Sequence, residues 1–213
     1  MREAPDTYQA KIELAVSVAR DTLEREIAAL KDLSGRFEPS AIQALELLFN
    51  CRGRVVVTGL GKSGLIGAKI SATFSSTGTP SFFLHATDAL HGDSGALAPG
   101  DVLLAISNSG ETTEVCAFAQ LMSDFGLQVL AMTAGPNSSL AKIANAVLDI
   151  ATTSEADPLN LAPTSSTTVT LALGDAIACA LMAARNFTPK EFARLHPAGA
   201  LGKQLKSSEF TGR

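Results

Sequence analysis

Three short segments concentrate hydroxyls, glycines and charge: GLGKSG at 59–64, SNSGET at 107–112 and APTSSTT at 162–168. Glycines let backbone amides approach an anion at a helix N-terminus, and serine and threonine hydroxyls add donors. Lys62 and Ser63 supply charge and a hydroxyl in the first segment; Ser107, Ser109 and Thr112 supply hydroxyls in the second, where Gly110 frees the backbone. The chemistry suited to such groups is the cradling of a small phosphorylated ligand. Helix capping competes with this reading. A tight turn with a solvated lysine explains the first segment, and Pro163 with a Ser/Thr cap explains much of the third. A cap uses one serine and one acid such as Glu111 but leaves the other hydroxyls of SNSGET idle, so ligand binding is the better reading there.

Two more familiar phosphate motifs fail. GLGKSG matches GxGxxG formally, but a dinucleotide site needs an acid about 20 residues on, at the end of the second strand. That strand ends in Phe83, Leu84 and His85, and the first acid is Asp88. A nucleotide P-loop would need glycine at position 56, which is valine. Glu155, in TSEADPLN, is notable for following the last strand, although an isolated loop glutamate is usually just solvated. The three histidines, His85, His91 and His196, lack HxxxH or His/Cys partner spacing, so no metal site is expected. Each could shuttle a proton beside a carboxylate.

The elements that position these loops read from periodicity. RVVVTG (54–59), SFFLH (81–85), DVLLAIS (101–107), QVLAMTA (128–134) and AVLDIA (146–151) are short apolar runs of the kind buried on both faces of a parallel sheet. Helical segments at 63–77, 111–125 and 138–145 separate most of them; a long apolar helix follows near 165–185 and a shorter one from Pro189. Alternation of strand and helix implies right-handed crossovers and an α/β, doubly wound, flavodoxin-like parallel sheet of five strands flanked by helices. Ligands of such sheets bind beyond the carboxyl ends of the strands, where all the segments above fall. Ahead of the sheet, Ile12, Ala15, Val16, Ala19, Leu23, Ile27 and Leu30 recur at helical spacing. Gly35 is expected to end that helix, and Pro39 to start a second that runs to residue 50.

Composition narrows the class. The chain has 213 residues, 46% hydrophobic and 18% charged, enough for a sizeable core. A formal charge of −4, no tryptophan and one tyrosine disfavour nucleic-acid binding. Cys51, Cys116 and Cys179 have no CxxC spacing and read as reduced core residues of a cytoplasmic protein. The start is charged and lacks a signal-peptide pattern. The most apolar stretch, 168–184, carries Asp175 and falls short of the ~18 residues expected of a spanning helix, so no membrane segment is expected.

GLGKSG, HGDSGAL, SNSGET, LNLAPTSST and HPAGALGK together resemble, in the same order, the sugar isomerase (SIS) domain. More narrowly they resemble the arabinose-5-phosphate isomerases that feed Kdo synthesis for lipopolysaccharide, over roughly 40–206. The resemblance implies one SIS domain over 1–213, with N-terminal helices at 8–50 and a sugar-phosphate-binding core at 51–206. It implies a catalytic group of Lys62, Glu111, Glu155 and His196. Gly61, Ser63, His85, His91, Ser107, Asn108, Ser109 and Thr112 would contact substrate, joined by Ser165, Ser166 and Thr167. The implied reaction interconverts D-arabinose 5-phosphate and D-ribulose 5-phosphate through a cis-enediol, without metal or other cofactor. Either Glu111 or Glu155 would be the carbon base, with His196 opening the ring and Lys62 holding the oxyanion. Homotetramers built as pairs of dimers are implied, with the N-terminal helix as a dimer element. Two departures stand out. The CBS modules that often follow the domain are not in the sequence, which reads as a short form or a truncated chain, and the usual HPGGALG is HPAGALG. A sensing domain that binds without converting, or an isomerase of another sugar phosphate, would use the same cradle.

Overall fold

A computed structural model describes residues 7–198. Helix α1 (Tyr8–Phe49) leads into strand β1 (Val55–Gly59), and then come α2 (Gly61–Ser76), β2 (Ser81–Phe83) and the short α3 (Ala86–Leu90). A 3-10 turn at Asp93–Ala96 precedes β3 (Val102–Ile106), α4 (Thr113–Asp124), β4 (Gln128–Thr133), α5 (Ser139–Ile143) and β5 (Ala146–Asp149). Helices α6 (Ser165–Ala184) and α7 (Pro189–Leu195) complete the order. The five strands form one parallel sheet in the order β2-β1-β3-β4-β5. This is the doubly wound, flavodoxin-like arrangement, and its order reverses between β1 and β3.

The apolar runs are continuous because each strand feeds two cores. Val55, Val57, Val102, Leu104, Ile106, Leu130 and Met132 point to the face covered by α1, α2 and α6. Val56, Leu103, Ala105, Val129 and Ala131 point to the face covered by α3, α4 and α5. Edge strand β2 is the exception, only half-buried along its three residues.

Two expectations are corrected. The N-terminal region is one helix of 42 residues, about 63 Å long at 1.5 Å per residue; neither Gly35 nor Pro39 interrupts it. Proline at 39 removes only one bond of the ladder, the one from its own position to the carbonyl of Gly35. Packing outweighs that loss, since Leu33, Ala41, Ala44 and Leu48 are all buried where α1 runs along α6 and β5. The cysteines are unpaired, but Cys179 is exposed on α6 and Cys51 and Cys116 are half-buried, so none is a fully buried core residue. Helix α6, at 20 residues, is longer than its apolar stretch suggested. It is long and apolar enough by length and composition to cross a membrane. In this fold it packs between α1 and α2, with Val169, Leu173, Ile177 and Leu181 in the core.

Candidate functional site

The reversal of strand order separates the loop after β1 from the loop after β3, and the start of α6 closes the gap. Lys62, Ser63 and Ile66 of α2, Asn108 from the β3 loop, and Pro163, Ser166, Thr167 and Thr170 of the α6 end line a cavity of about 240 Å³. All three hydroxyl-rich segments therefore meet at one place.

Local geometry explains how each wall is built. Gly61 takes a positive φ of 54° and starts α2 at once, which leaves Lys62 exposed at the mouth. The Ser63 hydroxyl makes no hydrogen bond among the described residues and is free for a ligand. In the β3 loop, Ser107 is buried and bonds to the Thr112 hydroxyl at 2.8 Å while accepting from the Gly110 amide at 3.1 Å. Ser109 accepts from the Glu111 amide. Gly110 has a φ of 69°, and a Cβ there would lie 2.0 Å from the Ser138 hydroxyl, so only glycine fits. Thus Ser107 and Thr112 brace each other, Ser109 is engaged by the Glu111 amide, and of that loop only Asn108 reaches the cavity wall.

The β4 loop is the part that the sequence reading missed. Thr133, Gly135, Ser138 and Ser139 buttress SNSGET from behind: Leu140 donates its amide to the Gly110 carbonyl, and the Thr133 hydroxyl donates to the Asn108 carbonyl. TAGPNSS (133–139) has the same glycine and serine texture at the carboxyl end of a strand, which was the available signal. Thr170, one turn beyond Ser166, was also missed.

The two glutamates occupy different settings. Glu111 is exposed, and one of its oxygens accepts from the Ser139 amide at 2.9 Å. Hydrogen bonds from Ser139 hold its carboxyl below the usual range. Glu155 is half-buried, and both oxygens are filled. Oε2 accepts from the Thr164 amide (2.7 Å), the Thr164 hydroxyl (3.1 Å) and the Ser166 amide (3.2 Å), and Oε1 accepts from the Ser166 hydroxyl. Burial opposes its charge, but these donors, led by the Ser166 hydroxyl, win and hold the carboxyl below its ordinary value. Glu155 thus caps α6 from outside the helix, and the cap residue Thr164 makes no side-chain cap bond of its own. The loop between them is held by Asp157, which accepts from the amides of Leu159, Leu161 and Ala162.

The remaining candidates scatter. Ser165 is buried with its hydroxyl unpartnered, behind the wall rather than on it. His85 and His91 flank α3 at the carboxyl side of β2 and do not line the cavity. His196 ends α7, stacked on Phe192 with Nδ1 at 2.8 Å from the Phe192 carbonyl oxygen. The preceding α6 end is tied by Arg185 to Thr79, just ahead of β2, and to the Leu48 carbonyl. That places the end of α6 at the opposite pole of the sheet, and His196 is not among the residues that line the cavity. The rest of its motif, 199–203, lies outside the described residues. Among the described residues no cluster of three or more His, Cys, Asp or Glu could hold a metal. A larger cavity of about 600 Å³ sits at the amino ends of β3 to β5. Its buried acid, Asp101, is already paired with Arg54, and it gathers no comparable set of hydroxyls.

A parallel sheet with a glycine- and hydroxyl-lined cradle at its switch point defines an α/β domain built to hold a small anionic ligand. The match to known families is specific: residues 47–180 fit the SIS domain, and the chain belongs to that family. It is 51% identical over 190 residues to a probable arabinose 5-phosphate isomerase of Haemophilus influenzae, covering 89% of this chain and 56% of the relative. Against the arabinose 5-phosphate isomerase KpsF of Escherichia coli it is 47% identical over 206 residues, covering 96% and 63%. The chain therefore spans about three-fifths of the length of these curated relatives. Among solved structures, an Escherichia coli protein in complex with A5P superimposes with a TM-score of 0.82 at 40% identity, covering 86% of this chain and 97% of that one. A Bacteroides fragilis protein described as a putative phosphosugar isomerase involved in capsule formation gives 0.79 at 34% identity, covering 85% and 97%.

Proposed function

We propose that the chain interconverts D-arabinose 5-phosphate and D-ribulose 5-phosphate through a cis-enediol. The observation that carries this reading is the convergence of Lys62, Ser63, Asn108 and Ser166 on one small cavity. Similarity to relatives named for that activity, and to a structure solved with A5P, supports it.

The reaction needs one base. A carboxylate takes the C2 proton, O1 gains a proton as O2 loses one, and the carboxylate returns its proton to C1 to give the ketose. Lys62, at the N-terminus of α2 and free of any ion pair among the described residues, stabilises the oxygen that becomes negative. Of the two glutamates, Glu111 is the better base. It is exposed and held by Ser139 alone, whereas Glu155 would abandon four donors from two residues, each charge-assisted bond contributing about 1.5–3 kcal/mol in general. Both carboxyls are held below their ordinary range, so catalysis by either is favoured by substrate binding that strips donors or water from it.

His196 enters, on this reading, from a second copy of the chain, since it is not among the residues that line the cavity of its own chain. Exposed Ile12, Val16, Leu23 and Ile27 along one side of α1 give that copy an apolar face to cover, which supports a homodimer and, by pairing of dimers, a tetramer. Three unpaired cysteines suit a reducing cytoplasm, where the ketose phosphate would enter Kdo synthesis.

The test is ketopentose phosphate formation by the purified chain from arabinose 5-phosphate and ribose 5-phosphate in parallel, with EDTA present. Conversion of the arabinose compound alone is expected. Conversion of neither, with thermal stabilisation by a sugar phosphate, would leave a sensing domain or an isomerase of another sugar.

A further inference from the structure

At the pole of the sheet opposite the cradle, a pocket gathers positive charge. Cys51 and Arg52 ahead of β1, Thr79 and Pro80 ahead of β2, Phe49 at the end of α1 and Arg185 at the end of α6 line a cavity of about 280 Å³. No Asp or Glu is among its lining residues, in a chain whose formal charge is −4. The nearby acids Glu46 and Asp101 line the larger neighbouring cavity instead. Asp101 is spent on the Arg54 guanidinium at 3.0 Å and on the amides of Arg54 and Ala98. Burial pushes the Cys51 thiol above its ordinary value, so it adds no negative charge near neutrality. Arg185 is fixed in place: Nη1 donates to the Thr79 hydroxyl at 2.5 Å, Nη2 donates to the Leu48 carbonyl at 2.9 Å, and the guanidinium lies 5.9 Å from the centre of the Phe49 ring. Those bonds use two of its five N–H groups. Closing the end of α1 explains them, yet it leaves the charge without a carboxylate partner among the described residues. Thr79 is buried, at 2% exposure, and accepts from a group that has no lone pair, so its own proton is unspent. Arg52 is exposed and makes no side-chain bond among the described residues.

Two guanidiniums that share a cavity repel each other, and an anion between them removes the repulsion while taking up the unused donors. The guanidinium fork matches the oxygens of a phosphate, and a buried hydroxyl with a proton to give adds a third donor. The carboxyl ends of α1 and α6 bring partial negative charge to the same place. Two full positive charges outweigh it, and the Leu48 carbonyl is already occupied by Arg185. The half-exposed Phe49 ring and Pro80 supply an apolar side to the pocket. We propose that this pocket is a binding site for a phosphate monoester, with the phosphate held by Arg52, Arg185 and the Thr79 hydroxyl and the organic part laid against Phe49 and Pro80. The site shares no lining residue with the cradle and stands whether or not the cradle converts a pentose phosphate.

Calorimetric titration of the full chain with inorganic phosphate and with phenyl phosphate tests the site, in a Lys62→Ala background that removes the charge of the cradle. Both probes are expected to bind, phenyl phosphate severalfold more tightly because its ring meets Phe49. Adding Arg52→Glu is expected to weaken both about tenfold or more, the loss of bonds to a charged group. Arg52→Gln, a second variant at the same exposed position, is expected to give a smaller loss in the same direction. Adding Phe49→Ala is expected to bring phenyl phosphate down to the level of inorganic phosphate, which itself stays within about twofold. Arg52→Glu in the otherwise unaltered chain is expected to leave turnover of arabinose 5-phosphate within about twofold, since Arg52 does not line the cradle. The proposal is overturned if neither probe binds the Lys62→Ala protein, if Arg52→Glu leaves their affinities unchanged, or if the two probes bind equally. None of the binding measurements uses the pentose, so a chain that fails to convert arabinose 5-phosphate would sink the isomerase reading and leave this site to be decided by its own titrations.

Discussion

The two walls of the cradle use the same residue types to opposite ends. On the α2 side, glycine at 61 brings a helix start to the cavity mouth and leaves Lys62 and Ser63 unengaged. On the α6 side, the hydroxyls of Ser166, Thr167 and Thr170 that line the cavity have their protons already committed, under a carboxylate that satisfies the first amides of the helix. The same contrast separates the glutamates, one tethered by Ser139 alone and the other by four donors. The lesson is that a Ser/Thr-rich loop announces a polar wall without saying whether that wall gives or receives hydrogen bonds.

The contrast can be broken most sharply at Glu111. Glu111→Gln is expected to lower turnover by ~100-fold or more, as loss of a general base does, with KM changed little; a steady-state assay that finds near-wild-type turnover would remove Glu111 as the base. Next in size is the hinge behind it. Gly110→Ala must place a Cβ against Ser138 at a positive φ, and we expect about 2 kcal/mol or more of destabilisation in denaturant unfolding together with weakened ligand binding. Smaller again is the α6 cap. Glu155→Gln is expected to cost about 1–2 kcal/mol of stability near neutrality, the range of a lost cap.

That last effect carries a pH signature. The folded carboxyl of Glu155 lies below its unfolded value of about 4.3, so its contribution is complete above that value and fades as pH falls through the folded one. The gap in stability between wild type and Glu155→Gln should therefore shrink as the pH falls below the unfolded value and vanish once it has passed through the folded one. A gap that widens on acidification would mean that the carboxyl is not the helix cap.

Much of this organisation was legible in advance. Strands buried on both faces write unbroken apolar runs, so RVVVTG, DVLLAIS and QVLAMTA declared a parallel sheet, and the sheet's carboxyl edge collected the GLGKSG, SNSGET and APTSSTT loops. What was not legible depends on distant partners. Helix α1 runs through Gly35 and Pro39 because Leu33, Ala41, Ala44 and Leu48 are buried, which no local signal reports. The cap of α6 comes from Glu155, nine residues ahead of Thr164, rather than from the serines and threonines at the helix start. His196 looked like a companion of Lys62 in the motif order but does not line the cavity with it.

The most direct test of the division between the glutamates is solvent deuterium incorporation, followed by NMR with arabinose 5-phosphate in D2O. The account predicts that wild type incorporates deuterium through the enediol, that Glu111→Gln does not, and that Glu155→Gln still does so at a reduced rate. Abolished exchange in Glu155→Gln alongside persistent exchange in Glu111→Gln would contradict it, and would make the capping carboxylate the one that moves the proton.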